Sequence, residues 1–215
     1  MTPPIKPIIT LINMIKNLVF DFGGVLIDWN PMHLYNNYFG DEEKARWFID
    51  NICTMEWNVQ MDAGKPFSIG IAELIAQYPE WSDAINAYRR RWNEMIGGPI
   101  PGMLEYVHKL KGAGYHVFGL SNWNWDTLST IIDDYPVIKE LEGMVISGLE
   151  YVIKPQPEIY LLLLDRYHLE ADECLFIDDN IANVQGAENV GIHGLQFTDI
   201  EKLKKDLQEM GISCQ

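Results

Sequence analysis

Three short apolar runs, each followed by small polar or acidic residues, constrain the fold of this 215-residue chain more than any other feature. They are NLVFDF at 17–22, YHVFGLSN at 115–122 and ECLFIDDN at 173–180, and a weaker run, GIHGLQF, follows at 191–197. A continuous apolar run of this length is typical of a parallel strand that is buried on both faces. The runs therefore predict four strands of one buried sheet.

Helical patterns lie between the predicted strands. The segments in which apolar residues recur at helical spacing are 101–114, 157–169 and 199–211. Strands that alternate with helices predict an α/β fold, here a Rossmann-like doubly wound parallel sheet. Ligands of such sheets bind beyond the carboxyl ends of the strands, where Asp21, Ser121 and Asp178 all fall.

Residues 29–98 break this alternation, because they contain helical patterns only. We predict that they form a helical cap inserted into a core domain made of residues 1–28 and 99–215. The segment IGGPIPG at 96–102 is the expected return linker. A cap that leaves the core directly after the first strand is well placed to close over the polar edge of the sheet.

The first thirteen residues carry prolines at positions 3, 4 and 7, and Met14 begins the segment that leads into the first strand. We expect residues 1–13 to be a disordered tail or to precede the true start of translation at Met14.

Composition limits the partners. Sixteen Lys and Arg against 31 Asp and Glu give a formal charge of −15, which repels nucleic acid and anionic membranes. A small molecule is the expected partner, and an anionic one needs a metal ion or a few placed cations. Three widely spaced cysteines without a CxxC pair predict reduced thiols in the cytoplasm and no zinc site. The composition leaves both a monomer and a homodimer open.

Each polar motif also has an ordinary structural explanation. Asp21 at a strand end is more often a cap or turn residue, and Asp21-Phe22-Gly23 is no kinase magnesium motif, since only twenty residues precede it. Ser121 can cap a helix and Lys154 can be an exposed lysine. Adjacent acids such as the pair at 178–179 repel each other unless a cation or hydrogen-bond donors offset their charge.

Taken together and in order, four motifs resemble the haloacid dehalogenase superfamily of hydrolases over nearly the whole chain. They are Asp21 in DFGGVLID, Ser121 in GLSN, Lys154 in IKPQPEIY, and Asp178 with Asp179 in FIDDNIANVQGA. The resemblance implies that the first aspartate is a nucleophile, that the serine and the lysine bind a phosphoryl group, and that the late acids hold magnesium.

The chemistry of phosphoryl transfer fits these residue types. A phosphate monoester is a dianion, so attack on it requires neutralised charge and an in-line nucleophile. By the resemblance, Asp21 forms an aspartyl phosphate that water later hydrolyses, and Lys154 contacts both the nucleophile and the phosphoryl group. The expected oxygen ligands of Mg²⁺ are Asp21, the backbone carbonyl of Gly23, Asp178 and Asp179.

The expected contacts to the substrate come from three segments. Ser121 offers a hydroxyl, the backbone N–H of Asn122 lies next to it, and Gly24 permits close approach of the backbone to the phosphoryl group. Trp123 is the expected wall of the substrate site. The turn MDAGKPF, around residues 62–65, resembles the cap loop that faces the site in relatives.

One position departs from the family pattern. Most phosphatases of this superfamily carry a second aspartate two residues after the nucleophile as general acid and base, and this chain has Gly23 there. General acid catalysis contributes about a hundredfold to ten-thousandfold, so its loss restricts the substrate to better leaving groups or requires another proton donor. The pattern resembles the branch that contains alpha-D-glucose-1-phosphate phosphatases. The leaving group of such a substrate is a hemiacetal hydroxyl, which is more acidic than an ordinary alcohol.

Two alternatives stay open. The 2-haloacid dehalogenases of this superfamily also lack the second acid, although they need no metal and the paired late acids favour a magnesium phosphatase. A catalytically silent phosphate-binding protein would also lack that acid, but it would not need Asp21, Lys154 and both late acids.

Overall fold

The computed structural model describes residues 15–214. The predicted tail over 1–13 and the alternative start at Met14 lie outside the described residues.

A five-stranded parallel sheet forms the centre of the molecule. The strands of residues 15–214, in both this sheet and a separate pair, are in chain order β1 (Asn17–Phe20), β2 (Ile27–Trp29), β3 (Ile96–Pro99), β4 (His116–Ser121), β5 (Gly143–Ile146), β6 (Cys174–Asp178) and β7 (His193–Gln196). Five of them pair in parallel in the order β5-β4-β1-β6-β7. The predicted fold class is confirmed, and the four predicted strands are β1, β4, β6 and β7.

Alternate residues of the central strand enter two separate cores, as a sheet covered on both faces requires. In β1, Leu18 and Phe20 pack into one apolar cluster, whereas Val19 packs into the other, and all three are fully buried. The helices of the two cores include Met103–Gly112, Pro157–Tyr167, Ile181–Asn189 and Ile200–Glu209.

The edge strand β5 was not predicted. Its sequence, GMVI, has only four residues and begins with a glycine, so it resembles a turn more than a buried strand. Gly143 is required there, because a Cβ at this position would lie 2.2 Å from Cε1 of Tyr167. The Tyr167 hydroxyl, in turn, accepts from the Met144 N–H at 2.7 Å and donates to the Met144 carbonyl at 2.9 Å.

Helices fill the segment between β2 and β3. They are Pro31–Phe39, Glu42–Asn51, Met55–Asp62, Phe67–Gln77 and Ser82–Arg90, with short 3₁₀ turns at Pro79–Trp81 and Trp92–Met95. The chain enters and leaves this segment through β2 and β3, which pair antiparallel. Part of the expected return linker at 96–102 is therefore a strand. The division into core and cap domains stays a prediction.

The helix Met55–Asp62 was missed because its buried face is partly polar. Asn58 and Asp62 are buried beside Trp57 and Met61, so the apolar spacing of a packed helix is absent. The Thr54 hydroxyl caps the helix by accepting from the Trp57 N–H at 3.2 Å. These buried polar groups satisfy each other, since Nδ2 of Asn58 donates to Oδ2 of Asp62 at 2.9 Å.

Within residues 15–214 the longest helices have 11 residues. None is long and apolar enough to cross a membrane, which takes about 20 residues.

Candidate active site

The carboxyl ends of the three central strands bring together residues that are far apart in the sequence. Asp21 directly follows β1, Ser121 ends β4 and Asp178 ends β6. The Asp21 N–H donates to the Ile177 carbonyl at 3.0 Å, which keeps Asp21 in register with the end of β6. The sheet topology therefore places these three residues at the same edge, as the sequence predicts.

Lys154 is the buried cation of this edge. Its Nζ lies 2.9 Å from Oδ1 of Asp21 and 2.7 Å from Oδ2 of Asp178, and it donates to the Leu120 carbonyl at 3.0 Å. These contacts use all three ammonium donors. Burial by itself would lower the pKa of Lys154, but Asp21 and Asp178 outweigh it and hold the pKa above its ordinary value. Lys154 is therefore charged.

Asn122 positions the backbone of Lys154. Its side-chain oxygen accepts from the Lys154 N–H at 2.8 Å, and its Nδ2 donates to the Lys154 carbonyl at 3.0 Å. The sequence indicated only the backbone N–H of Asn122 as a substrate contact. The role of its side chain depends on the approach of two distant loops, and no spacing in the sequence signals it.

The two late acids have different environments. Asp178 is fully buried, and its carboxylate accepts from the Asn180 N–H at 2.8 Å and from Nδ2 of Asn183 at 3.1 and 3.2 Å, in addition to the contact with Lys154. Asp179 is exposed and faces the cavity described below. Although the residue is exposed, its carboxyl group is partly desolvated at the cavity, and this desolvation, followed by the charge of Asp178, raises the pKa of Asp179.

Three carboxylates at this edge can hold a metal ion. Asp21, Asp178 and Asp179 each offer an oxygen, and these atoms lie within 4.8 Å of one another. Lys154 neutralises only one of the three negative charges. Burial is the largest cause that raises the pKa of Asp21 to about 7, with Asp178 adding to it and Lys154 opposing it. A hard divalent cation fits this all-oxygen donor set and would offset the remaining charge.

A cavity of about 400 Å³ opens over the three carboxylates. Its lining includes Asp21, Gly23, Gly24, Asn122, Trp123, Lys154 and Asp179 from the edge of the sheet. The helix Met55–Asp62 contributes Met55, Asn58, Val59 and Asp62, and Trp29 and Trp92 line it as well. The cavity therefore brings together all but two of the predicted site residues, Ser121 and Asp178, which lie buried beside it.

Gly24 must be glycine for two reasons. Its φ is +78°, a conformation that side-chain-bearing residues rarely adopt, and a Cβ there would lie 2.6 Å from Oδ2 of Asp179. The backbone therefore approaches the acidic cluster closely at this point.

The Ser121 hydroxyl is buried and has no hydrogen-bond partner among the described residues. Buried hydroxyl groups usually have a partner, so this one, beside Asp21, is available to donate to a bound group. The indole N–H groups of Trp29 and Trp92 also lack partners within residues 15–214. The two rings lie 5.8 Å apart, and Trp92 lies 6.4 Å from the ring of Trp123, so aromatic faces form one wall of the cavity.

The predicted cap loop at 62–65 divides in the structure. Asp62 ends a helix and lines the cavity, whereas Lys65 forms an ion pair with Glu73 outside it. Burial raises the pKa of Asp62 to about 8. The sequence drew attention to this loop but did not identify Asp62 as a titrating group, because its burial depends on packing against the end of the sheet.

Comparisons with known proteins point to one group of hydrolases. A protein-family model described as haloacid dehalogenase-like hydrolase matches residues 15–191. Sesquiterpene phosphatase AstK of Aspergillus oryzae is 26% identical over 211 residues, which are 93% of this chain and 97% of that protein. D-ribitol-5-phosphate phosphatase of Bacteroides thetaiotaomicron is 24% identical over 206 residues, 85% of this chain and 92% of that protein.

A solved structure has the same fold. The HAD family enzyme of Bacteroides thetaiotaomicron in complex with magnesium and inorganic phosphate has a TM-score of 0.64 at 22% identity, and the match covers 86% of this chain and 95% of that chain. Haloacid dehalogenases are also among the similar proteins.

Proposed function

The chain belongs to the haloacid dehalogenase-like hydrolases, and we propose that it is a Mg²⁺-dependent phosphatase that hydrolyses a small phosphate monoester through an aspartyl phosphate on Asp21. The observation that carries the proposal is the excess of negative charge beside the nucleophile. Three carboxylates lie within 4.8 Å, while one buried lysine serves two of them. A metal-free dehalogenase has no use for this excess.

The residues around Asp21 have distinct roles in the proposed reaction. Lys154 holds the carboxylate of Asp21 in place and offers positive charge to the phosphoryl group. The unpartnered hydroxyl of Ser121 and the backbone at Asn122 and Gly24 are the donors for the phosphoryl oxygens. Asp178 fixes Lys154 from the other side.

The metal would be held at the acidic cluster. Asp21, Asp179 and the carbonyl of Gly23 face the cavity and would be its protein ligands, whereas Asp178, whose oxygens already accept other hydrogen bonds, would act as a ligand or orient its neighbours. When bound, Mg²⁺ supplies positive charge that stabilises the dianionic substrate and the transition state.

The proposed substrate is a small sugar phosphate such as glucose 1-phosphate. The absence of an acid at Gly23 favours a leaving group that departs without strong protonation, which an anomeric oxygen does. The rings of Trp29, Trp92 and Trp123 offer faces on which a sugar can stack, and the unpartnered N–H groups of the first two can donate to hydroxyl oxygens. Relatives named as phosphatases of ribitol phosphate and of a sesquiterpene support the reaction rather than this particular substrate.

The test is a screen of phosphate esters with Mg²⁺ and with chelator. We expect phosphate release from glucose 1-phosphate and p-nitrophenyl phosphate that chelator abolishes. Faster hydrolysis of glucose 1-phosphate than of glucose 6-phosphate supports the anomeric substrate, and equal rates contradict it.

The same screen decides between the phosphatase and its alternatives. Chloride release from 2-chloropropionate in the presence of chelator would establish a dehalogenase. Phosphate binding without turnover of any ester would establish a binding protein. The cytoplasmic location, which the three free cysteines support, and the choice between monomer and homodimer remain part of the proposal.

A further inference from the structure

Asp62 is a buried carboxyl group in the wall of the active-site cavity. It is the last residue of the helix Met55–Asp62, its relative exposure is 8%, and it lines the cavity together with Asp21. Nothing in the proposed chemistry so far uses it. It belongs to a segment different from those that supply the acidic cluster.

The backbone at Asp62 is fixed to the edge of the sheet. The Ser147 hydroxyl donates to the Asp62 carbonyl at 2.6 Å and accepts from the Trp123 N–H at 3.0 Å. Nδ2 of Asn124 donates to the Met61 carbonyl at 2.8 Å. Ser147 follows β5, and Trp123 and Asn124 follow β4. The end of the helix is therefore held over the carboxyl ends of these strands, where the proposed reaction takes place.

The carboxyl group of Asp62 is also held in place. Its Oδ2 accepts from Nδ2 of Asn58 at 2.9 Å, and Oδ1 of Asn58 accepts from the buried Tyr88 hydroxyl at 3.0 Å. Its carboxyl group forms no ion pair with a cation among the described residues. Burial is the largest cause that raises the pKa of Asp62, and the negative charge of Asp21 raises it further. The backbone N–H of Asn124 and the positive charge of Lys154 act in the opposite direction. With its pKa raised to about 8, the group is mainly protonated at pH 7.

We propose that Asp62 donates the proton to the leaving-group oxygen of the substrate, in place of the acid that is absent at Gly23. This inference rests on the proposed phosphatase function.

Other groups in the cavity are unsuited to this role. The three donors of Lys154 already bind Asp21, Asp178 and the Leu120 carbonyl. Asp179 belongs to the acidic cluster that would hold the metal. A purely structural side chain at residue 62 would need only to accept from Asn58, which an amide does without the cost of burying an ionisable group.

The two half-reactions balance with Asp62 as acid and then as base. In the first, the Asp21 oxygen bonds to phosphorus, the bond from phosphorus to the ester oxygen breaks, and the proton of Asp62 passes to that oxygen to give the free alcohol. In the second, water attacks the phosphorus and gives a proton to the Asp62 carboxylate. The bond between phosphorus and Asp21 then breaks, which releases phosphate and restores both residues.

The experiment compares leaving groups of similar shape and different basicity. Wild type and Asp62→Asn are assayed with Mg²⁺ on phenyl phosphate, whose leaving group needs a proton, and on p-nitrophenyl phosphate, whose leaving group does not. The amide can still accept from Asn58, so the packing is kept. We expect kcat/KM for phenyl phosphate to fall about a hundredfold or more and that for p-nitrophenyl phosphate to fall less than about tenfold.

The matched control is Glu56→Gln on the exposed side of the same helix, which makes the same chemical change away from the cavity and should behave as wild type. Retained activity of Asp62→Asn on p-nitrophenyl phosphate shows that it is folded. Equal losses on both substrates, or no loss on either, would overturn the role of Asp62 and leave the phosphatase standing. If wild type hydrolyses neither ester, the proposed function itself fails.

A pH profile gives a second readout. Since the donor must be protonated, kcat/KM of wild type on phenyl phosphate should fall as the pH rises above about 8, and Asp62→Asn should lose this limb. The ionisable groups that face Asp62 are Asp21, Lys154 and Tyr88, and all three are unchanged in the variant. A limb that persists in Asp62→Asn would assign the titration to another group and contradict the proposal.

Discussion

At the scale of single residues, Asp21 combines burial with a contact to a buried cation. Burial alone would keep its carboxyl group protonated, whereas Lys154 at 2.9 Å favours the ionised form that a nucleophile requires. As the proposed nucleophile, Asp21 would therefore depend on two positive charges, one from Lys154 and one from the proposed metal ion.

Asp21→Asn should abolish turnover, because an amide cannot form the aspartyl phosphate. We expect kcat on p-nitrophenyl phosphate to fall at least about a thousandfold, while inorganic phosphate still binds at Ser121 and Lys154. Steady-state kinetics and a binding titration with phosphate measure the two effects. Turnover close to wild type would show that Asp21 is not the nucleophile.

Asp62 should lower the stability of the protein at neutral pH. Its pKa rises from 3.8 to about 8 on folding, so the unfolded chain binds fewer protons than the folded chain between these values. The free energy of unfolding therefore falls as the pH rises through this window, and the loss is complete above it.

Asp62→Asn removes this cost. Its Tm should exceed that of wild type by several °C or more at pH 8. The difference should shrink as the pH falls to the pKa of 3.8 of the unfolded chain, because below that value the carboxyl group is protonated in both folded and unfolded wild type. Thermal unfolding at a series of pH values measures it, with Glu56→Gln as control. A variant that is less stable than wild type at pH 8 would contradict the raised pKa.

At the scale of elements, hydrogen bonds from Ser147 and Asn124 hold the end of the helix Met55–Asp62 to the edge of the sheet. Its buried hydroxyl bridges the Trp123 N–H and the Asp62 carbonyl. The antiparallel ribbon of β2 and β3 joins the two ends of the helical segment. The position of Asp62 therefore depends on Ser147, which directly follows β5, a strand that the sequence did not predict.

Ser147→Ala should misplace Asp62 and cost stability as well. Two buried backbone groups lose their partner, so we expect a loss of about 1–3 kcal/mol in the free energy of unfolding. The kcat/KM should fall more on phenyl phosphate than on p-nitrophenyl phosphate. The control is Ser129→Ala, whose exposed hydroxyl makes only a long contact of 3.4 Å. A stable variant with unchanged selectivity would show that the bridge does not position Asp62.

At the scale of the whole molecule, a net charge of −15 repels an anionic substrate. A bound metal ion would therefore affect substrate binding as well as catalysis. The acidic cluster adds to a field that already opposes an anionic substrate. Under the proposed function, the buried positive charge of Lys154 and a bound divalent cation would be the means by which this chain attracts a phosphate ester.

Mg²⁺ should stabilise the protein more at pH 8 than at pH 6. In the metal-free protein the pKa of Asp21 is about 7, so at lower pH the metal must displace a proton from its ligand. The rise in Tm on adding millimolar Mg²⁺ measures this, and it should lose most of its pH dependence in Asp21→Asn. An equal rise at both pH values in wild type would exclude Asp21 as a proton-coupled ligand.

The sequence by itself determined the parallel sheet and the identity of the acidic edge. Continuous apolar runs such as Leu18–Phe20 can be buried only between two helical layers, and the residue that follows each run must then lie at the same edge of the sheet. The positions of Asp21, Ser121 and Asp178 at this edge were predictable for this reason. The divalent cation stays a prediction.

Only the tertiary structure decided how the environments of the acidic residues differ and that the pKa of Asp62 is raised. The difference between Asp178 and Asp179 comes from burial and from the Asn183 amide, neither of which any local pattern reveals. Asp62 lies in a helix whose polar buried face conceals it, and its pKa is raised because packing against the loops after β4 and β5 removes it from water. Desolvation is a property of the assembled chain, and so only the tertiary structure could point to Asp62 as the proposed proton donor.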